Sequence, residues 1–382
     1  YLGWLMHGVP GGLIAGGLFL APSLLVLIGL SSVYAFWGQL PLLTALFTGL
    51  KPAVLAIVIL AAWRLGRRIL QTPLLVALAV AAFAALSVLQ IPYPFVVIGA
   101  ALVGLLSGRL RPSLLVPKLR PASAAAKAEA EAPAAATATA IHDDHTPTPA
   151  HARFSRPHLA ATLLIWALAL VLPLIALTAL GGWNGPLALM ARFFTRVALL
   201  SFGGAYAVLP YVAQGAVEQF EWLSASQMLD GLALGETTPG PLIMVVAFVG
   251  FMGGWHSTLL DGPGSWPAAL ATTLVTVWFT FLPSFGFILV GAPLVEASRG
   301  NLRLGAPLSA ITAAVVGVIA SLAVFFAGPV LWSAAGFNPV AALLVLLALL
   351  AQIKLGWGVL KLIAAGAGAG VLISMLAKAA AA

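Results

Sequence analysis

The stretch GLALGETTPGPLIM, from Gly231 to Met244, places one carboxylate, two hydroxyls and two prolines between apolar runs. Pro239 and Pro241 lack an amide hydrogen and disfavour helical angles in the residues before them, so they predict a helix that breaks at TPGP and resumes at Leu242. The resumed helix would present free N–H groups and a partial positive charge. Such a helix start suits an oxyanion.

Polar side chains flank the predicted break. Thr237 and Thr238 add hydroxyl donors, and Gly240 is predicted to join them as a ligand through its backbone. Glu236 would repel an anion unless it pairs with an arginine or carries a proton, and a proton there would couple anion movement to proton movement. The alternative interpretation is a proline kink that only packs helices together.

A second motif, SFGGAY at 201–206, repeats this pattern with smaller groups. Gly203 and Gly204 allow a ligand or another backbone to approach closely, and Ser201 supplies a hydroxyl. Small residues also pack membrane helices against each other. Lining of an anion site and helix packing therefore both remain open for this motif.

Charged side chains inside apolar segments are costly and need a reason. Lys51 lies near the middle of its segment and is predicted to attract an anion, with a structural cation as the alternative. Arg192 and Arg196 lie one turn apart on one helix face; the shallower Arg192 is expected to snorkel to the interface, and Arg196 is the predicted ligand. Three other carboxylates are expected to cap or flank a helix at the cytoplasmic surface: Glu218, Glu221 and Asp230.

The composition of the chain indicates whether these groups lie in a membrane protein or in a water-soluble one. Of 382 residues, 62% are hydrophobic and 7% are charged, and apolar stretches near membrane-spanning length recur along the chain. An all-α, polytopic transmembrane bundle is predicted, and the absence of cysteine excludes thiol catalysis, iron–sulfur ligation and disulfides. About eleven apolar segments are expected, at 10–35, 42–63, 74–90, 93–108, 159–180, 188–213, 226–255, 266–290, 306–327, 338–352 and 357–376.

Residues 112–157 separate two apolar halves, 1–111 and 158–382, and are rich in Ala, Pro and Thr. This composition predicts a flexible linker. Nothing fixes the geometry of its histidines and aspartates, so no metal site and no cofactor is predicted from His142, Asp143, Asp144, His145 and His151.

Basic residues predict the orientation of the segments. They cluster at segment ends, as the positive-inside bias produces, so the net charge of +8 indicates topology and not a nucleic-acid partner. Clusters at 64–68 and 109–120 place the linker and both ends of the first half in the cytoplasm. The opening residues, YLGWLMHGVPGG, resemble neither a signal peptide nor a natural start, which predicts a truncated chain.

The two halves resemble each other. Residues 1–8 align with 248–255, and 20–29 align with 282–291, including Pro22 on Pro283. The charge count makes the corresponding segments run in opposite directions, which predicts inverted repeats with broken helices, a plan found in secondary transporters. By this alignment the first half's own copies of TPGP and SFGGAY would precede Tyr1.

Three stretches carry a resemblance to a known family: RVALLSFGGAYAVLPYV (196–212), EQFEWLSASQMLDGLALGETTPGPLIM (218–244) and GLKPAVLAIV (49–58). They are similar to the signature regions of the chromate ion transporter family. The resemblance implies a bacterial inner-membrane protein of two homologous halves, each with an FGG and a PGP motif. It also implies export of chromate and resistance to it.

The sequence thus predicts a secondary transporter of an oxyanion, driven by the proton-motive force, with the lipid bilayer as its surroundings and no nucleic acid as a partner. Chromate and sulfate are similar tetrahedral dianions, so the residues themselves do not separate them. An enzyme acting on a lipid phosphate and a passive anion channel are the alternatives. A homodimer is left open.

Overall fold

The computed structural model describes residues 1–110 and 155–381, apart from 202–204, 261, 298–304 and 334–335. Seven helices in this part of the chain are long and apolar enough to cross a membrane, which confirms the prediction of an all-α, multi-pass membrane protein. Thirteen α-helices are described. They are α1 Leu2–Trp37, α2 Pro41–Ile69, α3 Pro73–Ser87, α4 Tyr93–Leu110, α5 Arg156–Gly181, α6 Pro186–Leu199, α7 Ala205–Ala213, α8 Ala225–Thr237, α9 Val245–Trp255, α10 Trp266–Ala297, α11 Gly305–Leu331, α12 Pro339–Lys354 and α13 Val359–Ala381.

Short irregular elements connect some of these helices. A π-helical segment, Gln214–Gln219, follows α7, and a 3₁₀ turn, Leu242–Met244, precedes α9. The antiparallel strands Trp332–Ser333 and Gly336–Phe337 form a small hairpin after α11. Most of the predicted linker, and all of its histidines and aspartates, lie outside the described residues. Within the described ranges, no group of three or more His, Cys, Asp or Glu side chains could hold a metal ion.

Helices α1 and α10 run antiparallel along each other. Gly16 lies against the ring of Phe285. At the other end of the contact, the Trp266 indole donates to the Ser32 hydroxyl at 2.9 Å. This opposite course is what an inverted arrangement of the halves requires. The repeat relation itself stays a prediction.

Helices that precede residue 111 also pack against helices that follow residue 304. Helix α2 lies against α12 and α13, and α11 lies against α3 and α4. Glycines allow these backbones to approach closely. A methyl group added at Gly49 would lie 2.0 Å from the carbonyl oxygen of Gly366, and one added at Gly104 would lie 2.6 Å from Cβ of Ala310. The two halves are therefore interlocked.

Two segments that were expected to cross the membrane do not. The segment 188–213 divides into α6 and α7, and the segment 226–255 divides into α8 and α9. Each pair doubles back on itself as a hairpin. Because two crossings are removed together, every later helix keeps the direction across the membrane that the sequence predicts for it.

The open ends of both hairpins lie beside the C-terminal end of α1. The Phe36 and Trp255 rings are 4.8 Å apart, and Nδ1 of His256 is 2.9 Å from the carbonyl oxygen of Trp222. The arginines at the end of α2 mark the opposite side of the bundle. The expected surface position of Asp230 is wrong, because the residue is 3% exposed. Glu218 and Glu221 are exposed, and they lie toward the side opposite the α2 arginines, which the positive-inside bias predicts to be cytoplasmic.

Candidate functional site

The second hairpin consists of α8, the TPGP turn and α9. Its arms are antiparallel, with Gly231 against the Phe248 ring and Gly235 against Val245. At 13 and 11 residues, the arms are roughly 20 and 17 Å long. A bilayer core is about 30 Å thick. Neither arm crosses it, so the hairpin enters and leaves on one side and its turn lies within the membrane.

The first hairpin consists of α6, residues 200–204 and α7. The Phe193 ring on α6 lies 5.3 Å from that of Tyr211 on α7 and 5.4 Å from that of Trp222 beyond it. The chain therefore turns near Leu200 and returns along α6. Ser201 is exposed at this turn, whereas Gly203 and Gly204 lie outside the described residues.

The tips of the two hairpins meet. The Tyr206 hydroxyl, at the start of α7, donates a hydrogen bond to the Glu236 carboxylate in the last turn of α8. A carboxylate at a helix C-terminus faces the negative end of the helix dipole and needs a donor. Tyr206 supplies that donor and thereby links SFGGAY to ETTPGP.

The TPGP turn is seated on α1. Gly240 has φ 134°, a conformation that L side chains rarely adopt, and a methyl group added there would lie 2.8 Å from both side-chain atoms of Ser23. Ser23 is fully buried on α1, and its hydroxyl lies 3.5 Å from that of Thr238. Only glycine fits this turn without displacing α1.

The threonine hydroxyls are already engaged. Thr237 donates to the carbonyl of Leu234 at 2.7 Å, and Thr238 donates to that of Gly235 at 2.8 Å. They cap the last carbonyls of α8, so an anion would receive their hydrogens only after the hydroxyls rotate. The Met244 amide donates to the carbonyl of Pro241 at 2.9 Å. The amides of Leu242 and Ile243, the first two after Pro241, have no partner within the helix that they begin and are the better-placed donors.

A cavity reaches the turn. Its volume is about 570 Å³, it lies between α1 and α10, and its wall includes Phe19, Pro241, Phe281 and Ser284. Irregular backbone at membrane depth requires surrounding protein or a cavity. The TPGP turn meets this condition. The cavity wall also includes Tyr1, Leu2 and Gly3 and is mostly apolar, so the cavity does not itself mark an anion site.

Lys51 forms a buried ion pair. Its ammonium lies 3.5 Å from the Asp230 carboxylate and donates to the Ser226 hydroxyl at 2.6 Å. The Tyr34 hydroxyl donates to the same carboxylate at 2.9 Å. This cluster joins α1, α2 and α8. Lys51 is thus charge-compensated here and is not a free cation that faces an anion.

The pair predicts an asymmetry between its two neutral variants. Lys51→Gln leaves the Asp230 charge without its cation at a site where the residue is 3% exposed, and breaking such a pair costs about 3–5 kcal/mol. Asp230→Asn leaves a lysine whose side chain is 23% exposed and so is less deeply buried than Asp230 is. We expect the thermal unfolding midpoint in detergent to fall clearly more for Lys51→Gln. An equal or larger fall for Asp230→Asn would contradict this assignment of burial.

The two arginines of α6 differ in their contacts. Arg192 donates to the carbonyl oxygen of Trp183 at 2.6 Å and lies 4.0 Å from the centre of its ring. It reaches away from the hairpin tips, as snorkelling predicts. Arg196 is exposed, and it is not brought to the Glu236–Tyr206 contact.

The sequence interpretation missed Tyr206, Tyr34 and the burial of Asp230. The signal for Asp230 was present, since a carboxylate within MLDGLALG is as costly in an apolar segment as Lys51 is. The two were not paired because they are distant in the chain. Tyr206 ends the SFGGAY motif, but its partner depends on how the hairpins meet.

The two signature motifs thus occupy the tips of two facing half-membrane hairpins. The sequence model of the chromate transporter family matches residues 1–105 and 188–371. The chain belongs to the chromate transporter family. The resemblance predicted from the signature stretches is confirmed.

Curated relatives agree with the family. The chain is 31% identical over 323 residues to the chromate transport protein of Pseudomonas aeruginosa, covering 84% of this chain and 64% of that protein. It is 25% identical over 320 residues to the chromate transport protein of Cupriavidus metallidurans, covering 83% and 66%. A probable chromate transport protein of Synechococcus elongatus is 25% identical over 325 residues, covering 85% and 68%.

The chain spans about two thirds of the length of these relatives. They are transport proteins, which removes the alternative of an enzyme acting on a lipid phosphate. No solved structure matches.

Proposed function

We propose that this member of the chromate transporter family moves chromate, or a related tetrahedral oxyanion such as sulfate, as a secondary transporter. In this proposal it exports the anion across a bacterial inner membrane, is driven by the proton-motive force and confers chromate resistance, with the central linker in the cytoplasm. The meeting of two half-membrane hairpins at SFGGAY and TTPGP carries the proposal. Family membership and the named relatives support chromate as the substrate.

In the proposed site, the anion lies at the TPGP turn. The donors are the first amides after Pro241 and, after rotation, the hydroxyls of Thr237 and Thr238. Helix N-termini bind oxyanions through such amides and through the helix dipole. Gly240 supports this role because it brings the turn against α1 without a side chain.

Glu236 is the proposed coupling residue at this site. A charged carboxylate beside the anion would repel it, whereas a protonated one would not. The Tyr206 hydroxyl is expected to change its contact with Glu236 when Glu236 takes up or releases a proton. The anion and the proton are therefore expected to favour the same state of the hairpin tips.

Flux across vesicles tests the proposal. The full chain in liposomes loaded with chromate should release it faster when the lumen is made more acid than the outside, because the proton is proposed to leave with the anion, and sulfate should slow the release by competition. The control is liposomes without protein. Release no faster than in that control would overturn the transport function. Release that follows only the chromate gradient, at every proton gradient, would indicate a passive channel.

A further inference from the structure

Asp230 is a buried carboxylate that the TPGP site does not use. It lies on α8 almost two turns before Glu236 and is 3% exposed. Oδ2 accepts the Tyr34 hydroxyl at 2.9 Å, but within the described chain no hydrogen bond reaches Oδ1, which meets Lys51 only as a charge at 3.5 Å. Lys51 and Asp230 therefore form an ion pair without a hydrogen bond between them.

Lys51 is the accessible member of the pair. Its side chain is 23% exposed and that of Asp230 is 5% exposed. Its short hydrogen bond goes to Ser226, which lies one turn before Asp230 on the same face of α8. An anion that approaches the pair from its exposed side therefore meets the ammonium before it meets the carboxylate.

Few other charges face this pair. Helix α8 packs against α1, α2, α9, α11 and α13. Helices α9 and α11 contain no titratable residue in their sequences, and the lysines of α13, Lys361 and Lys378, are exposed. Tyr34 on α1 and Lys51 on α2 are the titratable groups that contact Asp230 in the described structure. Glu236 on α8 itself contacts Tyr206 instead.

We propose that an oxyanion displaces Asp230 from Lys51 and that Asp230 then takes up a proton, so that one anion and one proton bind together at this pair. This inference rests on the proposed function and names a second coupling residue for it. A dianion is a stronger partner for the ammonium than a single carboxylate is. Asp230, left buried without its cation, is neutralised by a proton from water, because an unpaired buried charge is strongly disfavoured.

Release reverses the exchange. When the anion leaves Lys51, the ammonium again attracts the carboxylate, and the proton returns to water. No bond other than the O–H bond of the carboxyl group forms or breaks. Anion affinity at this pair must therefore fall as pH rises, because the empty site keeps Asp230 charged and bound to Lys51.

Equilibrium binding of radiolabelled sulfate and of chromate to the purified full chain, across a pH series, tests this exchange. Wild-type affinity should fall about tenfold for each pH unit on the alkaline side, as linkage to one proton requires. Asp230→Asn in the Glu236→Gln background, which lacks the other proposed proton carrier, should bind with no pH dependence, at the affinity that Glu236→Gln alone reaches in acid. Glu221→Gln, which changes an exposed carboxylate, should keep the wild-type slope.

Lys51→Gln should lower anion affinity at every pH. If a single variant fails to fold, the double variant Lys51→Gln with Asp230→Asn removes both charges, and it should fold and bind weakly at all pH values. A pH slope that survives when Asp230→Asn, alone or with Lys51→Gln, is placed in the Glu236→Gln background overturns the inference. A wild type that binds no anion at any pH would instead overturn the proposed function.

Discussion

Replacing both Pro239 and Pro241 by alanine is expected to lower chromate flux about 10- to 100-fold while the chain still inserts in the membrane. Alanine continues a helix that proline breaks, so α8 and α9 would extend toward each other and their amides would bond internally. Each hydrogen bond lost to a charged group costs roughly 1.5–3 kcal/mol, which corresponds to this range. Flux in proteoliposomes, normalised to membrane abundance, measures the effect.

Pro173→Ala is the matched control for this experiment. Pro173 lies inside the continuous helix α5, which has no buried residue, so its replacement should leave flux unchanged. An unchanged flux in the double variant would mean that TPGP only kinks the packing of the hairpin. If the loss of total flux only matched a loss of protein from the membrane, the effect would not concern the anion site.

Glu236→Gln is expected to reduce the dependence of flux on the proton gradient to the part that Asp230 supplies, while anion binding is retained. Glutamine preserves the shape of the side chain and can accept the Tyr206 hydroxyl, but it cannot take up or release a proton. Flux should then change less with the imposed proton gradient than wild-type flux does, because only the proton on Asp230 still moves with the anion. Release from proteoliposomes at several internal and external pH values measures this.

Glu218→Gln, which changes an exposed carboxylate away from the hairpin tips, should respond to the proton gradient as the wild type does. Tyr206→Phe leaves Glu236 titratable but without its donor, so the response should be weakened rather than absent. Full dependence on the proton gradient in Glu236→Gln would remove Glu236 from the coupling mechanism. Binding measured with Glu236→Gln should still fall with pH, because that dependence is assigned to Asp230.

The membrane class and the position of the helix break were predictable because both depend on local sequence. Apolar runs define the spans, and two prolines separated by one glycine disfavour a helix wherever they lie. The doubling back of 188–213 was not predictable in this way. The segment is long enough to cross, and its return depends on tertiary packing such as that of Phe193 against Tyr211 and Trp222.

The residues of the candidate site also differ in whether local sequence or tertiary packing determines their contacts. Glu236 and Gly240 could be predicted as site residues from their place at the break, where Glu236 contacts Tyr206 and Gly240 lies against Ser23. The donor role given to Thr237 and Thr238 competes with nearby backbone carbonyls, a contact that hydroxyls near a helix end commonly make. The ion pair of Lys51 with Asp230 joins helices from opposite halves, so no local pattern could assign it.

The interlocked helices also constrain how the chain is assembled. Helix α2 is synthesised well before α13, which lies against its glycine face at Gly49. Helices α3 and α4 likewise precede α11. These long-range contacts form late. Until α11 and α13 have been synthesised, lipid must occupy the grooves that later hold them, and a ribosome that stalls before α13 would release a chain with this face of α2 uncovered.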